Sequence, residues 1–438
     1  MNTIAYIVLV AACLAGGVVG SPIILYTAGL LLPMLQVMPT PVGTLATSTN
    51  LLLAGLMASV MTGASKRPRP TEPMPLKKSL IFMTAMLVLG LVIRMLREQG
   101  GSVFLNTLAA QPIVIWYWVT PFIVYALVWR LATDRTVAWR VVRACELSIV
   151  GEACLTIIER ALGIGRATAH IGEANRAGAY FAAGACFMLG RFLTSRGGMK
   201  VVYGAAWVLT IIGMFNSLSR GAMVAATFAS IVTVGVFFLK GRGRTGSKVL
   251  FMVVLAILLA NAVVLIPQSV VDRVNLTFKG GAKETVAEGE MDSSAEARLL
   301  FWRIAWETFK ERPTGTGTGT FPTLVEPYWK RPMNAHNIYL QLLTEYGLQG
   351  LFALAVLIGT VVVNFYRTFV RFNGTARSDT ALSLLGWWVA HCAAHFFVNP
   401  FFLLQGTGQF WIMAGCLPHL VASLPTRASE AAPAGRGR

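Results

Sequence analysis

The sequence predicts an all-α protein, a polytopic transmembrane helical bundle. Of its 438 residues, 55% are hydrophobic and only 13% are charged, and the mean hydropathy is +0.64. These values lie outside the range of ordinary water-soluble domains. Apolar runs of roughly 17 to 25 residues recur along the chain and match the length that a transmembrane helix needs. The sequence lacks the alternating segments of about ten residues that are typical of transmembrane β-barrels.

About twelve apolar segments meet the length criterion for transmembrane helices. The first covers residues 4–38, where Gly16, Gly17, Gly20 and Pro22 favour a break into a helix pair. The others are residues 42–64, 79–97, 108–130, 143–163, 177–194, 201–216, 222–239, 249–267, 347–366, 381–397 and 404–424. Because the first run continues without a cleavage pattern, we expect a membrane anchor and not a removed signal peptide.

Charge in the loops predicts the topology. The chain has 37 Lys and Arg against 19 Asp and Glu, a net charge of +18, which in a soluble protein would suggest a nucleic acid partner. In a membrane protein, basic loops such as 66–78 and 240–248 are expected in the cytoplasm. Alternation then puts residues 130–143, 191–200 and 367–379 inside as well. We therefore expect membrane lipids and no nucleic acid as partners.

Four regions follow from this topology. Residues 1–267 are predicted to form N-terminal transmembrane helices, residues 268–346 an outer loop and helical lid, residues 347–426 C-terminal transmembrane helices, and residues 427–438 a cytoplasmic tail. The outer segment is too short for a substantial core of its own, so we expect it to lie on the membrane domain.

A helix is predicted in the second half of the outer segment. Ser293 and Glu296 form a capping box, and the helical pattern continues to Arg312, where Pro313 stops it. Arg298 falls on a face that also carries Leu299, Phe301, Trp302, Ala305, Trp306 and Phe309. Its guanidinium is predicted either to stack on Trp302 or to point into a cavity that holds an anion.

Six further arginines lie at the outer ends of spans or in short outer loops, against the positive-inside bias. They are Arg94, Arg97, Arg160, Arg166, Arg176 and Arg220. A single arginine of this kind is readily explained by snorkelling to the headgroups. The set as a whole favours an anionic ligand on the outer face.

His336 is the candidate catalytic residue. Asn334 is a plausible N-cap, which would put His336 in the first turn of the following helix, at the outer membrane boundary. A lone histidine is more often structural, but its convergence with several arginines favours a functional role. A neutral imidazole near pH 7 is suited to accept a proton from a hydroxyl.

Other polar groups in the spans give weaker signals. His391 and His395 lie one helical turn apart, but no Cys or carboxylate at matching spacing accompanies them, so we expect no metal site. Glu146, Glu152 and Glu159 share one span with Arg143 and Arg160, which indicates either a proton pathway or paired charges. The six cysteines lie in or beside apolar runs and are interpreted as packing residues.

Several of these residues carry a resemblance to a known family. His336-Asn337, nine residues and Gly347-Leu348-Gln349-Gly350 resemble the H-N-x9-G-x-x-G pattern of the O-antigen ligase family. Ser219-Arg220-Gly221 resembles its Ser-Arg-Gly element. Arg298 followed by Trp302, Pro313 and Gly315-x-Gly317 resembles its approach to the histidine, and Arg166 with Gly172 and Asn175 resembles an earlier element. The resemblance covers roughly residues 160 to 365.

The resemblance implies a fold and a reaction. The fold would be a twelve-span glycosyltransferase of the GT-C type with a partly helical periplasmic lid, in the bacterial inner (cytoplasmic) membrane. The reaction would transfer O-antigen from undecaprenyl pyrophosphate to lipid A-core oligosaccharide on the periplasmic face, without metal or other cofactor. His336 would be the base or would activate the acceptor, Arg220, Arg298 and Arg166 would bind the pyrophosphate, and Asn337 would orient His336 or a sugar.

Rival functions remain open. An O-antigen polymerase or a protein O-oligosaccharyltransferase would use similar residues with another acceptor; the chain ends about fourteen residues after its last predicted span, which favours the ligase. A transporter of anions would also suit outer arginines. A transporter predicts internal repeats with broken helices at the midplane, and the arginines cluster instead at one face.

Overall fold

A computed structural model gives the fold of the chain. It describes residues 2–19, 22–36, 47–63, 70, 72–97, 101–240, 292–329, 332–399 and 401–420. Within these residues the regular secondary structure is entirely helical. The all-α class is thereby confirmed.

The described residues form fourteen α-helices and three short 3-10 helices. The α-helices are α1 (Asn2–Val19), α2 (Ile23–Leu31), α3 (Ser48–Gly63), α4 (Lys77–Arg97), α5 (Gly101–Leu131), α6 (Arg135–Ala161), α7 (Ala174–Thr194), α8 (Gly198–Asn216), α9 (Arg220–Lys240), α10 (Asp292–Glu311), α11 (Phe321–Trp329), α12 (Ile338–Arg371), α13 (Ala376–Ala394) and α14 (Leu404–Cys416). The 3-10 helices are Leu32–Gln36, Ala169–Ile171 and Leu417–Leu420.

The predicted spans overlap these helices wherever the structure describes them. The first run divides at Pro22, which stands at the N-cap of α2, because proline cannot continue a preceding helix. The predicted span 249–267 lies outside the described residues. Among the helices that the structure describes, five are long and apolar enough to cross a membrane, namely α4, α7, α8, α9 and α12. The number of twelve spans stays a prediction.

Helix α7 lies at the centre of the bundle. It packs against α8, α9 and α13, and 89% of the residues in its most apolar stretch of 18 residues are buried. Small residues make this packing close: a Cβ on Gly190 would stand 2.7 Å from the Cα of Ser383 in α13. Small residues let neighbouring transmembrane helices approach closely where lipid offers no hydrophobic driving force.

Glu146 of α6 is paired with two arginines. Glu146 accepts from the Nε of Arg191 at 2.6 Å, from Arg143 at 3.1 Å and from the Tyr203 hydroxyl at 3.0 Å. Since a buried charge is stabilised only when it is paired and hydrogen-bonded, this cluster fastens α6 to α7 and α8. The paired-charge interpretation of Glu146 therefore agrees with its contacts.

The segment predicted as a lid contains a small apolar core formed by α10 and α11. Helix α10 ends at Glu311, just before Pro313, and buries Ala297, Phe301 and Ala305 against Phe321 and Val325 of α11. The predicted aromatic face is only partly buried, since Leu299 is 64% and Trp306 48% exposed. The buried stripe follows the i, i+4 spacing of Ala297, Phe301 and Ala305, and this stripe leaves Leu299 and Trp306 to one side.

Candidate functional site

Four of the five predicted site residues contribute to one charged cluster. Arg166 lies in the loop before α7, Arg220 is the first residue of α9, Arg298 lies in α10, and His336 directly precedes α12. They are close enough to act on one another electrostatically: Arg220 lowers the pKa of both Arg166 and Arg298, and Arg298 lowers that of His336. Residues from four separate elements are thus brought together.

The Arg166 guanidinium is fixed by hydrogen bonds from two directions. Its Nε donates to the carbonyl of Ser217 at 3.2 Å, and one terminal nitrogen donates to Asn175 Oδ1 at 3.0 Å. Burial is the largest cause of its lowered pKa, yet an arginine remains charged at neutral pH. Asn175, which the resemblance includes, acts here as the residue that orients Arg166.

The loop that carries Arg166 is anchored to α6 by two carboxylates. Glu159 accepts the backbone N–H groups of Thr168 and Ala169 at 2.7 and 2.9 Å. Glu152 accepts the N–H of His170 at 3.0 Å and lies 2.9 Å from its Nδ1. These two acids therefore hold the loop against the helix, a role that the sequence pattern does not reveal.

The Ser-Arg-Gly element forms a tight turn at the start of α9. Leu218 has φ +52°, and the N–H of the buried Ser219 donates to Ser217 Oγ at 3.3 Å. A Cβ on Gly221 would lie 2.7 Å from the Cβ of Phe397. Glycine at this position thus allows the N-terminus of α9, where Arg220 stands, to approach the segment after α13.

Arg298 is half-buried and does not stack on Trp302. Within the described part of the chain it makes no hydrogen bond, ion pair or cation–π contact, and the Trp302 indole N–H donates instead to the carbonyl of Ala335 at 3.1 Å. Burial, followed by the charge of Arg220, lowers the pKa of Arg298. A desolvated guanidinium beside two other arginines favours an anion at this point.

His336 is held neutral by its surroundings. It is half-buried, and burial, followed by the charges of Arg298 and Arg176, lowers its pKa to about 4. Its backbone has φ +50°, a region that costs non-glycine residues energy and that is typical of functional sites. Ala169 and Leu218, which flank the same cluster, also have positive φ.

The start of α12 differs from the prediction. The helix begins at Ile338, and its N-cap is Asn337 and not Asn334, so His336 precedes the helix. Asn337 Oδ1 accepts the N–H groups of Tyr339 and Leu340 at 3.0 and 3.1 Å. The N–H of Ile338 donates to the carbonyl of His395 at 3.1 Å. Asn337 therefore has a capping role, and its predicted contact with a substrate stays a prediction.

The two glycines of the G-x-x-G pattern shape a kink in α12. Gly347 has φ +67°, and a Cβ there would lie 2.3 Å from the carbonyl oxygen of Pro313. A Cβ on Gly350 would lie 2.3 Å from the Cβ of Tyr346. Only glycine adopts such a backbone next to another chain segment without strain. These glycines thus have a structural role.

The loop of alternating Thr and Gly at residues 314–320, here called the Thr-Gly loop, precedes α11 and lies in this kink. The N–H groups of Thr316 and Gly317 donate to the carbonyls of Thr344 and Glu345 at 2.9 and 2.8 Å. The Glu345 carboxylate accepts the N–H groups of Gly319 and Phe321 at 2.9 and 3.2 Å. The loop is therefore a clamp between the lid and α12.

Two of the six arginines that were predicted to lie on the outer face support the Thr-Gly loop and lie apart from the charged cluster. Arg94 donates to the carbonyl of Thr318 at 2.7 Å, and Arg97 donates to the hydroxyl of Thr314 at 3.3 Å. Arg160 donates to the carbonyl of Ile164, close to its own helix end. The set of six outer arginines is thus divided between fastening the structure and forming the cluster.

Arg176 is a cluster residue that was not assigned to the site from the sequence. It pairs with Glu173 at 3.1 Å and donates to the carbonyl of Asn399 at 3.4 Å, and its charge contributes to the lowered pKa of His336. Its position in the first turn of α7 was the available signal. Because several cations surround it, Glu173 is an internal counter-ion of the cluster.

His391 and His395 bind backbone carbonyls. Nε2 of His391 lies 3.0 Å from the carbonyl oxygen of Phe401, and Nδ1 of His395 lies 2.7 Å from that of His391. In the described ranges, no group of three or more His, Cys, Asp or Glu side chains is arranged to hold a metal ion. These histidines therefore act as packing and hydrogen-bonding residues beneath the cluster.

A comparison with family models identifies part of the chain. Residues 205–355 match the model described as O-Antigen ligase. A search of curated proteins finds no match. The matched range includes Arg220, Arg298, His336 and Asn337, whereas Arg166 lies before it. The resemblance predicted from the motifs is thereby confirmed for residues 205–355, which are similar to the O-antigen ligase family.

Proposed function

We propose that this protein is an O-antigen ligase that transfers O-antigen polysaccharide from undecaprenyl pyrophosphate to a sugar hydroxyl of lipid A-core. The observation that carries the proposal is the cluster of Arg166, Arg220 and Arg298 beside a neutral His336. The cluster is cationic and partly desolvated, which suits a diphosphate, and it includes a group able to accept a proton. The site would face the periplasm of the bacterial inner membrane.

The arginines would stabilise the leaving group. When the bond between the anomeric carbon and the phosphate oxygen breaks, the electron pair stays on the pyrophosphate, which gains negative charge. Arg220 and Arg298 would donate to its oxygens, and Arg166, already oriented by Asn175, would bind from the other side. Removing one preorganised donor to developing charge typically costs on the order of 10²-fold in rate or more.

His336 would accept the proton of the acceptor hydroxyl as its oxygen attacks the anomeric carbon. Attack opposite the leaving pyrophosphate would invert the configuration at that carbon. Because the pKa of His336 is lowered to about 4, the imidazole is already unprotonated at neutral pH. Binding of the anionic diphosphate would offset the arginine charges and raise the basicity of His336 at the moment when it is required.

The proposal is tested with purified full-length protein, undecaprenyl-pyrophosphate-linked glycan and lipid A-core in the presence of a chelator. We expect a ladder of higher-mass lipopolysaccharide with wild type and with Arg303→Gln, an exposed position on the same helix as Arg298. His336→Ala and Arg298→Gln should abolish the ladder.

Three results would each contradict a part of the proposal. If wild type makes no product with an authentic acceptor, whether or not the chelator is present, the ligase function is wrong, and assays for O-antigen polymerisation, protein O-glycosylation and anion transport follow. If wild type is active and both site variants match it, the function stands but the site assignment fails. Loss of activity on adding the chelator would contradict metal-independent transfer.

A further inference from the structure

A second site lies at the far end of α12 from His336. A cleft of about 880 Å³ opens there between the C-terminal half of α12, the residues before α4 and the end of α14. Its lining includes Arg367, Arg371, Arg377 and Glu72 together with apolar residues of α12. This volume falls in the range of sites for small organic ligands.

The floor of the cleft is a buried, oriented arginine. Arg377, whose side chain is 6% exposed, donates to both carboxylate oxygens of Glu72 at 2.7 and 2.5 Å. Its guanidinium carbon lies 4.1 Å from the centroid of the Phe372 ring. Its Nε is buried and has no hydrogen-bond partner among the described residues.

The cleft carries excess positive charge. The hydrogen bond from Arg377 lowers the pKa of Glu72, so the carboxylate is ionised and its charge offsets that of Arg377. Arg367 and Arg371 line the same cleft and are exposed. In the described part of the chain, neither forms an ion pair within 4.0 Å. An anionic group is therefore favoured at the mouth of the cleft.

The inner wall of the cleft is apolar and has room for a chain. Val356, Gly359 and Val363 line it, Val363 is 46% exposed, and a Cβ on Gly359 would meet nothing within 4 Å. A free phosphate ion would need the arginines but not this wall. A molecule with a charged head and apolar chains matches both parts.

We propose that this cleft binds an anionic glycerophospholipid, with its headgroup phosphate on Arg367 and Arg371 and its acyl chains along the 356–363 face of α12. Basic pockets between transmembrane helices are suited to anionic headgroups. The lipid bridges α12, the segment before α4 and the end of α14, at the end of the bundle opposite the charged cluster.

The test is native mass spectrometry of the full-length protein in detergent, titrated with phosphatidylglycerol or with phosphatidylcholine of the same chains. We expect wild type to prefer phosphatidylglycerol. The double variant Arg367→Gln/Arg371→Gln should bind it about 30-fold more weakly, from two headgroup contacts. The matched control Arg135→Gln/Arg140→Gln, which removes two exposed arginines of α6, should bind as wild type does.

A second pair of variants tests the apolar wall without changing charge. Gly359→Phe should fill the cleft and lower lipid binding, whereas Gly235→Phe, at a helical glycine that also has open space but does not line the cleft, should leave it unchanged. Equal binding of the two lipids, or wild-type binding by both the double-arginine and Gly359→Phe variants, would overturn the proposal. Displacement of the lipid by millimolar inorganic phosphate would assign the cleft to a free anion instead.

Discussion

Nδ1 of His170 lies 2.9 Å from Oε1 of Glu152, and the other carboxylate oxygen accepts the His170 backbone N–H. This double contact joins the loop of Arg166 to α6. The hydrogen bond with Glu152 raises the pKa of His170 from its ordinary value of 6.5, against the opposing effect of burial. The stability of the site loop is therefore linked to pH.

The first prediction concerns this linkage. Because the folded-state pKa of His170 is raised, protonated His170 contributes stability that is fully present below pH 6.5 and is lost as pH rises through the folded-state pKa. We expect the thermal unfolding temperature of wild type to fall as the pH rises above 6.5, through the raised folded-state pKa. His170→Gln should remove most of this dependence; an unchanged slope in that variant would contradict the linkage.

The pH dependence of activity gives the second prediction. Since the pKa of His336 is lowered to about 4, the imidazole is neutral well below the usual range of histidine. A diphosphate diester does not titrate there either. We expect kcat/KM for transfer to be flat down to about pH 5 and to fall only as the pH approaches the lowered pKa. A decrease with a midpoint near 6.5, the ordinary value, would show that His336 is not held neutral in the free enzyme.

The third prediction separates charge from geometry at Arg298. Arg298→Gln should lower kcat/KM by about 10²-fold or more, because a donor to the leaving group is lost. Arg298→Lys keeps the charge but not the planar guanidinium fork. We therefore expect its kcat/KM to lie between the values of Arg298→Gln and wild type. The exposed Arg303→Gln is the control. Full activity in Arg298→Lys would indicate that a point charge is sufficient.

Asn337 provides the fourth prediction. If its role is the N-cap of α12, Asn337→Ala should lower the free energy of unfolding by about 1 kcal/mol, and Asn337→Ser or Asn337→Asp should retain most of it. Activity should follow the same order, since the cap fixes the segment that carries His336. Stable Ser and Asp variants that have lost activity would instead indicate a direct contact of the amide with a sugar.

The fifth prediction concerns the kink of α12. Gly347→Ala would combine a positive φ with a Cβ 2.3 Å from the Pro313 carbonyl oxygen, and we expect it to cost on the order of 2 kcal/mol or more. Thermal unfolding in detergent measures this change. Gly235→Ala in α9, where a Cβ meets nothing within 4 Å, should be neutral or slightly stabilising. Equal stability of the two variants would argue against a strained kink.

The sequence predicts the helices and the cluster residues for clear physical reasons. Hydropathy measures transfer to lipid directly, so the described spans coincide with helices. Arg220 and His336 could be found because they stand in recognisable motifs beside apolar runs, and Arg298 because it lies in a motif on a predicted helix of the outer segment. Arg166 could be found in the same way, together with Asn175, its hydrogen-bond partner.

Side-chain direction could not be predicted. Arg94 and Arg166 are both predicted to lie on the outer face, yet Arg94 binds the carbonyl of Thr318 and Arg166 joins the cluster. Asn334 and Asn337 are both suitable N-caps by residue type. The helix begins after Asn337, where the N–H of Ile338 donates to the carbonyl of His395, a residue distant in sequence. Such choices depend on tertiary contacts that a linear pattern does not contain.

Because the Thr-Gly loop holds the kink of α12 in place, the number of residues between Asn337 and Gly347 is constrained. The nine residues from Ile338 to Tyr346 form the helical segment between the Asn337 cap and the Gly347 kink, a rise of about 13 Å at 1.5 Å per residue. One inserted residue would turn the kink by about 100° around the helix axis and away from Pro313. Insertions and deletions in this segment should therefore be far less tolerated than conservative substitutions of its apolar side chains.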